Sequence, residues 1–341
     1  MDMPIAYTNR MLALIVTILG TAALRASYPV TMPLAVAILL IAAVWPLKLW
    51  LDRLIPKASY VGTSIILLCV LALFFAALYF SAAQVVQAFG DNWGQLERVY
   101  QTIIHWFEKW GIAGVDLSDH RSKLIGVGQE VLSNASTIMV YLAFVALLVV
   151  LGLTEVTAMA KKIDREIGND DSREVARTIK EIARKIRQYL GITLLTSLLT
   201  GVASGLWAFT IGLELPLVWG ILNFLLNFIP VVGNFAGILP PTLYALIQFN
   251  SFSWLLIAFV GFSFIQITIS NFIYPLLQGR SLSLSPVAVV LSLAFWSWVW
   301  GIAGALIAIP LTVSLSIVCG QFDDTRWIAV LLSSVKADDA E

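Results

Sequence analysis

Apolar residues run along this chain in blocks of about twenty, the length at which a helix crosses the hydrocarbon of a bilayer. Met11 to Ser27, Tyr28 to Leu47, Tyr60 to Ala83, Ser136 to Leu153, Tyr189 to Ile211 and Ser253 to Tyr274 each form such a block. The first two are separated by little more than Arg25 and Ser27, which predicts a tight antiparallel hairpin. Pro29 and Pro33 lie near its turn, where proline costs least. The leader carries one basic residue, Arg10, and another apolar block follows at once, so Met11 to Leu24 reads as a retained span rather than a cleaved signal.

Two further apolar stretches are interrupted. Leu217 to Ile247 contains Pro230, Gly233, Gly237, Pro240 and Pro241, and Ser285 to Ile317 contains Gly301, Gly304 and Pro310. A straight helix does not survive these breakers, so each stretch is predicted as two half-helices meeting at a tip, either dipping into the bilayer or spanning it as a pair. Irregular backbone at membrane depth persists only where protein buries it or a wet cavity receives it. A matched pair of such segments is the sequence signature of a transport site. The competing reading is close helix packing through small residues, as the four-residue spacing of Gly233 and Gly237 allows.

Neutral amides gather around these breaks: Asn223, Asn227, Asn234, Gln266, Asn271 and Gln278. In hydrocarbon such groups need a protein, water or solute partner. Asn223 and Asn227, four apart, share a helix face and serve either to bind one solute or to stitch helices together. Trp296, Trp298 and Trp300 crowd the second break, placed to stack on a ring-shaped solute or to join an interfacial aromatic belt. The expected substrate pathway is therefore Asn223, Asn227, Pro230, Gly233, Asn234, Gly237, Pro240, Gln266, Asn271, Trp296, Gly301, Gly304 and Pro310. Solute is expected between the two broken segments, which would shift against the first three spans.

Polar composition returns twice. Gln84 to Ala135 has amphipathic spacing, with Trp93, Leu96, Tyr100, Ile103 and Phe107 on one face. Gly111 to Asp119 has the makings of a turn with Ser118 as a cap, together a small extramembrane helical layer. Glu155 to Gln188 carries nine Lys or Arg against seven Asp or Glu. There Val175, Ile179, Ile182, Ile186 and Leu190 recur at helical spacing, with Arg177, Lys180, Arg184 and Arg187 around them. This is either an interfacial helix on anionic lipid or a lever coupling the moving half to the membrane surface. Basic residues in short loops stay cytoplasmic. Lys48, Arg53 and Lys57, with the basic stretch after the fourth span, then place both termini in the cytoplasm of an inner-membrane protein and the 84–135 layer outside.

The predicted fold class is all-α: a polytopic transmembrane helical protein with two broken or re-entrant hairpins. Its parts are three spans in 1–83, the layer in 84–135, the fourth span with its basic helix in 136–188, a transport region in 189–322 and a cytoplasmic tail in 323–341.

Composition agrees with the pattern, at 59% hydrophobic and 12% charged residues against about 25% charged in ordinary soluble domains. From Gln188 to Phe322 the only acidic or basic side chains are Glu214 and Arg280, so hydrocarbon must be the solvent of that stretch. A net charge of zero offers no basic surface to nucleic acid. Cys69 and Cys319 supply neither a disulfide framework nor a zinc site, and read as packing residues. His105 and His120 both fall in the extramembrane layer, where Asp116, Asp119 and His120 read as turn and capping residues. Gly261 to Phe264 is only a partial serine-nucleophile pattern, and neither HExxH nor GxxxxGK[ST] occurs. No enzyme, cofactor or metal site is predicted, and transport would be passive or gradient-driven.

With these residues in view, the chain resembles the autoinducer-2 exporter family of bacterial membrane proteins. The motifs are LVWGILNFLLNFIPVVGNFAGILPP at Leu217 to Pro241, NFIYPLLQGRSLSLSPVAVVLSLAFWSWVWGIAGALIAIPLT at Asn271 to Thr312, and MPLAVAILL at Met32 to Leu40. The resemblance implies export of a small hydroxylated signalling molecule, or a related neutral solute, by a homo-oligomer, a pentamer, with an elevator-like movement of the broken-hairpin region. Some relatives of that family are sodium or lithium/proton antiporters, which want an acid at membrane depth. From Gln188 onward only Glu214 is available, at a span end, which favours a neutral polar solute. A non-transporting structural membrane protein, with its broken segments packed shut, is the remaining alternative.

Overall fold

The computed structural model describes residues 5–54, 59–92, 94–95, 97–98, 135–166, 170–229, 232–278 and 284–333. Most of the expected extramembrane layer, with both histidines, and Pro230 lie outside the described residues.

Among the described residues the fold is all-α. The helices are α1 (Ile5–Ala26), α2 (Tyr28–Leu54), α3 (Ser59–Asp91), α4 (Ala135–Glu166), α5 (Asp170–Thr210), α6 (Pro216–Leu226), α7 (Val232–Phe249), α8 (Phe252–Thr268), α9 (Tyr274–Gln278), α10 (Pro286–Gly320) and α11 (Arg326–Leu332). A π-helical turn, Ile269–Ile273, joins α8 to α9. Among the described residues, five stretches are by length and composition long and apolar enough to cross a membrane: Tyr28–Trp45, Leu68–Asp91, Ala176–Thr210, Phe252–Gln278 and Pro286–Gly320. Ile15–Ala26, Val140–Val156 and Pro216–Leu226 are shorter apolar helices.

Several helices run past their expected ends, α2 to Leu54 and α4 to Glu166 among them, because nothing in their sequence stops them. α3 passes Ala83 and closes at Asp91, where the Asn92 side chain donates to the Ala88 carbonyl at 2.9 Å. α5 continues through Gln188, the expected boundary between the basic helix and the next span, since no proline interrupts it. It ends at Thr210 and is capped by Gly212, whose φ of 71° is cheap only for glycine. The Gly212 N–H reaches the Phe209 carbonyl and the Leu213 N–H the Ala208 carbonyl, the paired bonds of a Schellman cap.

The chain divides into two compact units. Unit 1 comprises residues 1–65, 141–187 and 280–341; unit 2 comprises 66–140 and 188–279.

In unit 1 the α1–α2 turn is the single residue Ser27, whose N–H and Oγ both donate to the Ala23 carbonyl. α10 bends sharply at Trp300 (φ −129°, ψ 18°) and Gly301 (φ 63°, ψ −143°). Its two arms fold back on each other: the Trp296 indole N–H donates to Thr312 Oγ1 at 3.0 Å, whereas sixteen residues of straight helix would span about 24 Å. The Ser285 side chain caps the first arm by accepting from the Ala288 N–H, and Pro286 stands at the first helical position. α11 returns to the same foot, where the Ser285 N–H donates to the Leu332 carbonyl.

Unit 2 holds the other broken hairpin, α6 and α7, against α5 and α8. Its core is Ala208, Ile211, Leu213, Trp219, Tyr244, Ala245, Ala258 and Phe262, with Ala88 of α3. α5 and α6 cross in backbone contact, because a Cβ on Gly220 would lie 2.8 Å from the Gly201 carbonyl oxygen and 3.3 Å from Gly205 Cα. At 11 residues α6 is roughly 16 Å long, too short for the ~30 Å hydrocarbon layer.

Candidate functional site

The predicted pathway residues separate by unit. The amides fall in unit 2, while Trp296, Gly301, Gly304 and Pro310 fall in unit 1, and each group has its own local order.

In unit 2 the chain leaves α6 at Leu226 and turns through Asn227, Phe228 and Ile229 before α7. The turn is tight: the Gly233 N–H donates to the Ile229 carbonyl at 2.8 Å, and a Cβ on Gly233 would collide with the Leu226 carbonyl oxygen. Only glycine fits there. Asn227 and Asn234 sit at this tip and Gln266 approaches from α8. The Gln266 amide donates to Asn234 Oδ1 at 2.6 Å and lies 3.4 Å from Asn227 Oδ1 and 3.5 Å from Ser270 Oγ. Asn227 in turn donates to Ser197 Oγ on α5 at 3.0 Å. The result is an uncharged cluster of three carboxamides and two hydroxyls at the break of an apolar hairpin. Gln266, at its centre, is 4% exposed.

Asn223 has a different task. It is buried, and its amide donates to the carbonyls of Trp219 (3.0 Å) and Gly237 (3.1 Å). Pro240 and Pro241 lack the N–H groups that would bond four residues back, so the carbonyls of Ala236 and Gly237 lose their helical donors. Asn223 replaces one of them. A Cβ on Gly237 would strike the Asn223 side chain, so that glycine serves the same contact. Asn223 and Asn227, expected together on one face, thus divide into a structural amide and a cluster member. Asn271 lies exposed on the π-helical turn, apart from the cluster bonds.

In unit 1 the bend of α10 meets the α1–α2 turn. The Trp300 indole N–H donates to Thr31 Oγ1 at 3.2 Å and lies 3.4 Å from the Leu24 carbonyl. The Arg25 guanidinium sits 4.3 Å from the centre of the Trp298 ring, and Trp296 packs on Trp300 at 5.1 Å. Gly304 packs against the Trp296 carbonyl, and Pro310 is fully buried. The three tryptophans thus make specific contacts with the protein itself.

Glu214 stands at the foot of the unit 2 hairpin. It is exposed, its carboxylate accepts from the Tyr244 hydroxyl at 2.6 Å, and its carbonyl accepts from the Trp219 indole at 2.8 Å. Gln248 completes the clamp, accepting from the Glu214 N–H and donating to the Gly212 carbonyl, each at 2.8 Å.

The basic residues also divide. Arg177, Lys180 and Arg184 are exposed on α5, whereas Arg187 reaches back to the Ala42 carbonyl at 3.4 Å. Cys319 is buried but Cys69 is exposed, so the packing role expected of both fits only Cys319 within the described chain.

Sequence reasoning passed over Ser197 and Ser270. The signal for Ser197 was present: Thr193, Thr196, Ser197, Thr200 and Ser204 form a buried hydroxyl stripe at helical spacing on an otherwise apolar helix. Some of these hydroxyls bond back to their own helix, as Thr200 does to the Thr196 carbonyl at 2.9 Å, which makes them inexpensive in hydrocarbon. Ser197 instead serves the amide cluster.

A family model described as AI-2E family transporter matches residues 12–323. Similar proteins include a "Putative transport protein" of Borreliella burgdorferi, 32% identical over 200 residues, which are 58% of this chain and 53% of that protein. A "Putative transport protein" of Haemophilus influenzae is 32% identical over 61% of this chain and 60% of its own length. The AI-2 transport protein TqsA of Escherichia coli is 35% identical over 47% of this chain and 46% of its own. The chain thus spans between about half and three-fifths of the length of these relatives.

Proposed function

This chain belongs to the AI-2E transporter family, and we propose that it carries a small neutral polar solute of the autoinducer-2 type out of the cell, using the amide cluster of unit 2 as its recognition site. The single observation behind the reading is the Gln266–Asn234–Asn227–Ser197 arrangement, an uncharged set of donors and acceptors at the break of a hairpin made of apolar residues. Carboxamides and hydroxyls both give and accept hydrogen bonds, so together they can match the hydroxyl groups of a solute that must shed its water. They offer no fixed charge to hold an ion.

The chain is a multi-pass membrane protein, consistent with its family and its long apolar helices. Outward direction, pentameric assembly and elevator-like movement are part of the proposal and rest on the family resemblance. Cytoplasmic termini rest on the basic loops. The antiporter alternative would need an ionisable group at membrane depth. Glu214 supports it poorly, being exposed at a hairpin foot and engaged with Tyr244.

The test is flux in proteoliposomes of the purified chain, with labelled autoinducer-2 beside lithium and sodium. Movement of the furanosyl solute without cation exchange is expected. Cation movement without the solute would transfer the assignment to the antiporter reading.

A further inference from the structure

α5 is one uninterrupted helix of 41 residues, about 61 Å long, of which the hydrocarbon layer can take only about 30 Å. Its apolar part begins at Tyr189, so the residues before it continue along the same axis, out of the hydrocarbon and through the headgroups. Close to the span that extension is one-sided, although further out Ile179, on the same side as Ile186, is 53% exposed. Ile186 and Tyr189 are buried, at 3% and 2% exposure. Arg177, Lys180 and Arg184, spaced three and four apart, share the opposite face and are exposed. Arg184 lies 4.0 Å from Glu181, but with side chains 69% and 44% exposed the pair leaves the arginine charge available. Arg187 belongs to another surface, being turned inward to the Ala42 carbonyl.

Position along the axis ranks these residues. At ~1.5 Å per residue, Arg184 stands roughly 8 Å outside Tyr189, Lys180 roughly 14 Å and Arg177 roughly 18 Å. The headgroup layer is about 5–7 Å deep on each side. Arg184 therefore stands at the phosphates, and Lys180, roughly 7 Å beyond the layer and within one Debye length of it, adds attraction through the solvent. Arg177 lies more than one Debye length, about 8 Å, beyond the layer and feels little of its charge.

We propose that Arg184, assisted by Lys180, binds the headgroup of an anionic phospholipid, and that this exposed face of α5 is a lipid-binding surface. Charge complementarity and continuity with the membrane span of the same helix identify the occupant as lipid. All three side chains are exposed, so their neutralisation leaves the fold intact, which thermal unfolding in detergent checks.

The experiment compares retention of phosphatidylglycerol and phosphatidylcholine by the full chain in native mass spectrometry, for the unaltered protein and for Arg184→Gln, Lys180→Gln and Arg177→Gln. Phosphatidylglycerol should be preferred, about fivefold less so after Arg184→Gln, less affected by Lys180→Gln, and nearly unchanged after Arg177→Gln. Equal retention of the two lipids would overturn the proposal, as would Arg177→Gln causing the largest loss. Inorganic phosphate displacing the lipid at equal concentration would also overturn it, assigning the surface to free anions instead.

Discussion

Asn223 donates its side-chain amide to the carbonyl of Gly237 at 3.1 Å, the carbonyl that Pro241 deprives of its helical donor. A proline inside an apolar hairpin is tolerated because a buried carboxamide on the facing helix supplies what the backbone lacks. The two positions are therefore coupled. Asn223→Ala should cost about 1–3 kcal/mol in unfolding measured in detergent. Pro241→Ala restores a backbone N–H, so the same substitution in that background should cost less than half as much.

Gly233 and Gly304 pack against the backbone carbonyls of Leu226 and Trp296, which cannot retreat as a side-chain tip can. Gly233→Ala and Gly304→Ala should each destabilise by roughly 1–3 kcal/mol. Gly191, in the interior of α5 with open space where a Cβ would go, is the matched control. Gly191→Ala should stabilise by about 0.5–1 kcal/mol, and the opposite signs can be read from melting temperatures of the three variants.

The α10 bend is held by the Trp300 indole on Thr31 Oγ1. Trp300→Phe keeps most of the ring and removes the donor. Hydrogen exchange across Trp296 to Gly304 should quicken about fivefold, the equivalent of one hydrogen bond of ~1 kcal/mol, while exchange in α8 of unit 2 stays unchanged.

Glu214 discriminates between a clamp and a proton carrier. Glu214→Gln keeps an oxygen for the Tyr244 hydroxyl, so solute flux should survive it. Glu214→Leu removes that acceptor and should lower stability by about 1–2 kcal/mol. Flux abolished by the glutamine variant at unchanged stability would show that the charge itself is needed.

The breaks themselves could be located in the sequence because glycine acts locally. Gly233 marked the α6–α7 turn and Gly301 the bend of α10, whereas Pro240, Pro241 and Pro310, also expected as breakers, lie inside helices that run through them. What sequence could not assign was the partner of each polar group. Asn223 and Asn227 look equivalent on a helical wheel, yet one bonds a carbonyl freed fourteen residues later and the other a serine thirty residues earlier. Tertiary contact decides such roles, and composition does not carry it. The continuity of α5 through Gln188 was hidden for a related reason: a change from basic to apolar composition marks a change of solvent, not the end of a helix.

The most direct test of the account is solute flux through Gln266→Leu, a near-isosteric change at the centre of the amide cluster. At matched incorporation in proteoliposomes, efflux of labelled autoinducer-2 should fall at least tenfold, the loss of a hydrogen bond or two in recognition, while the chain remains folded. Undiminished efflux through Gln266→Leu would contradict the assignment of this cluster as the recognition site.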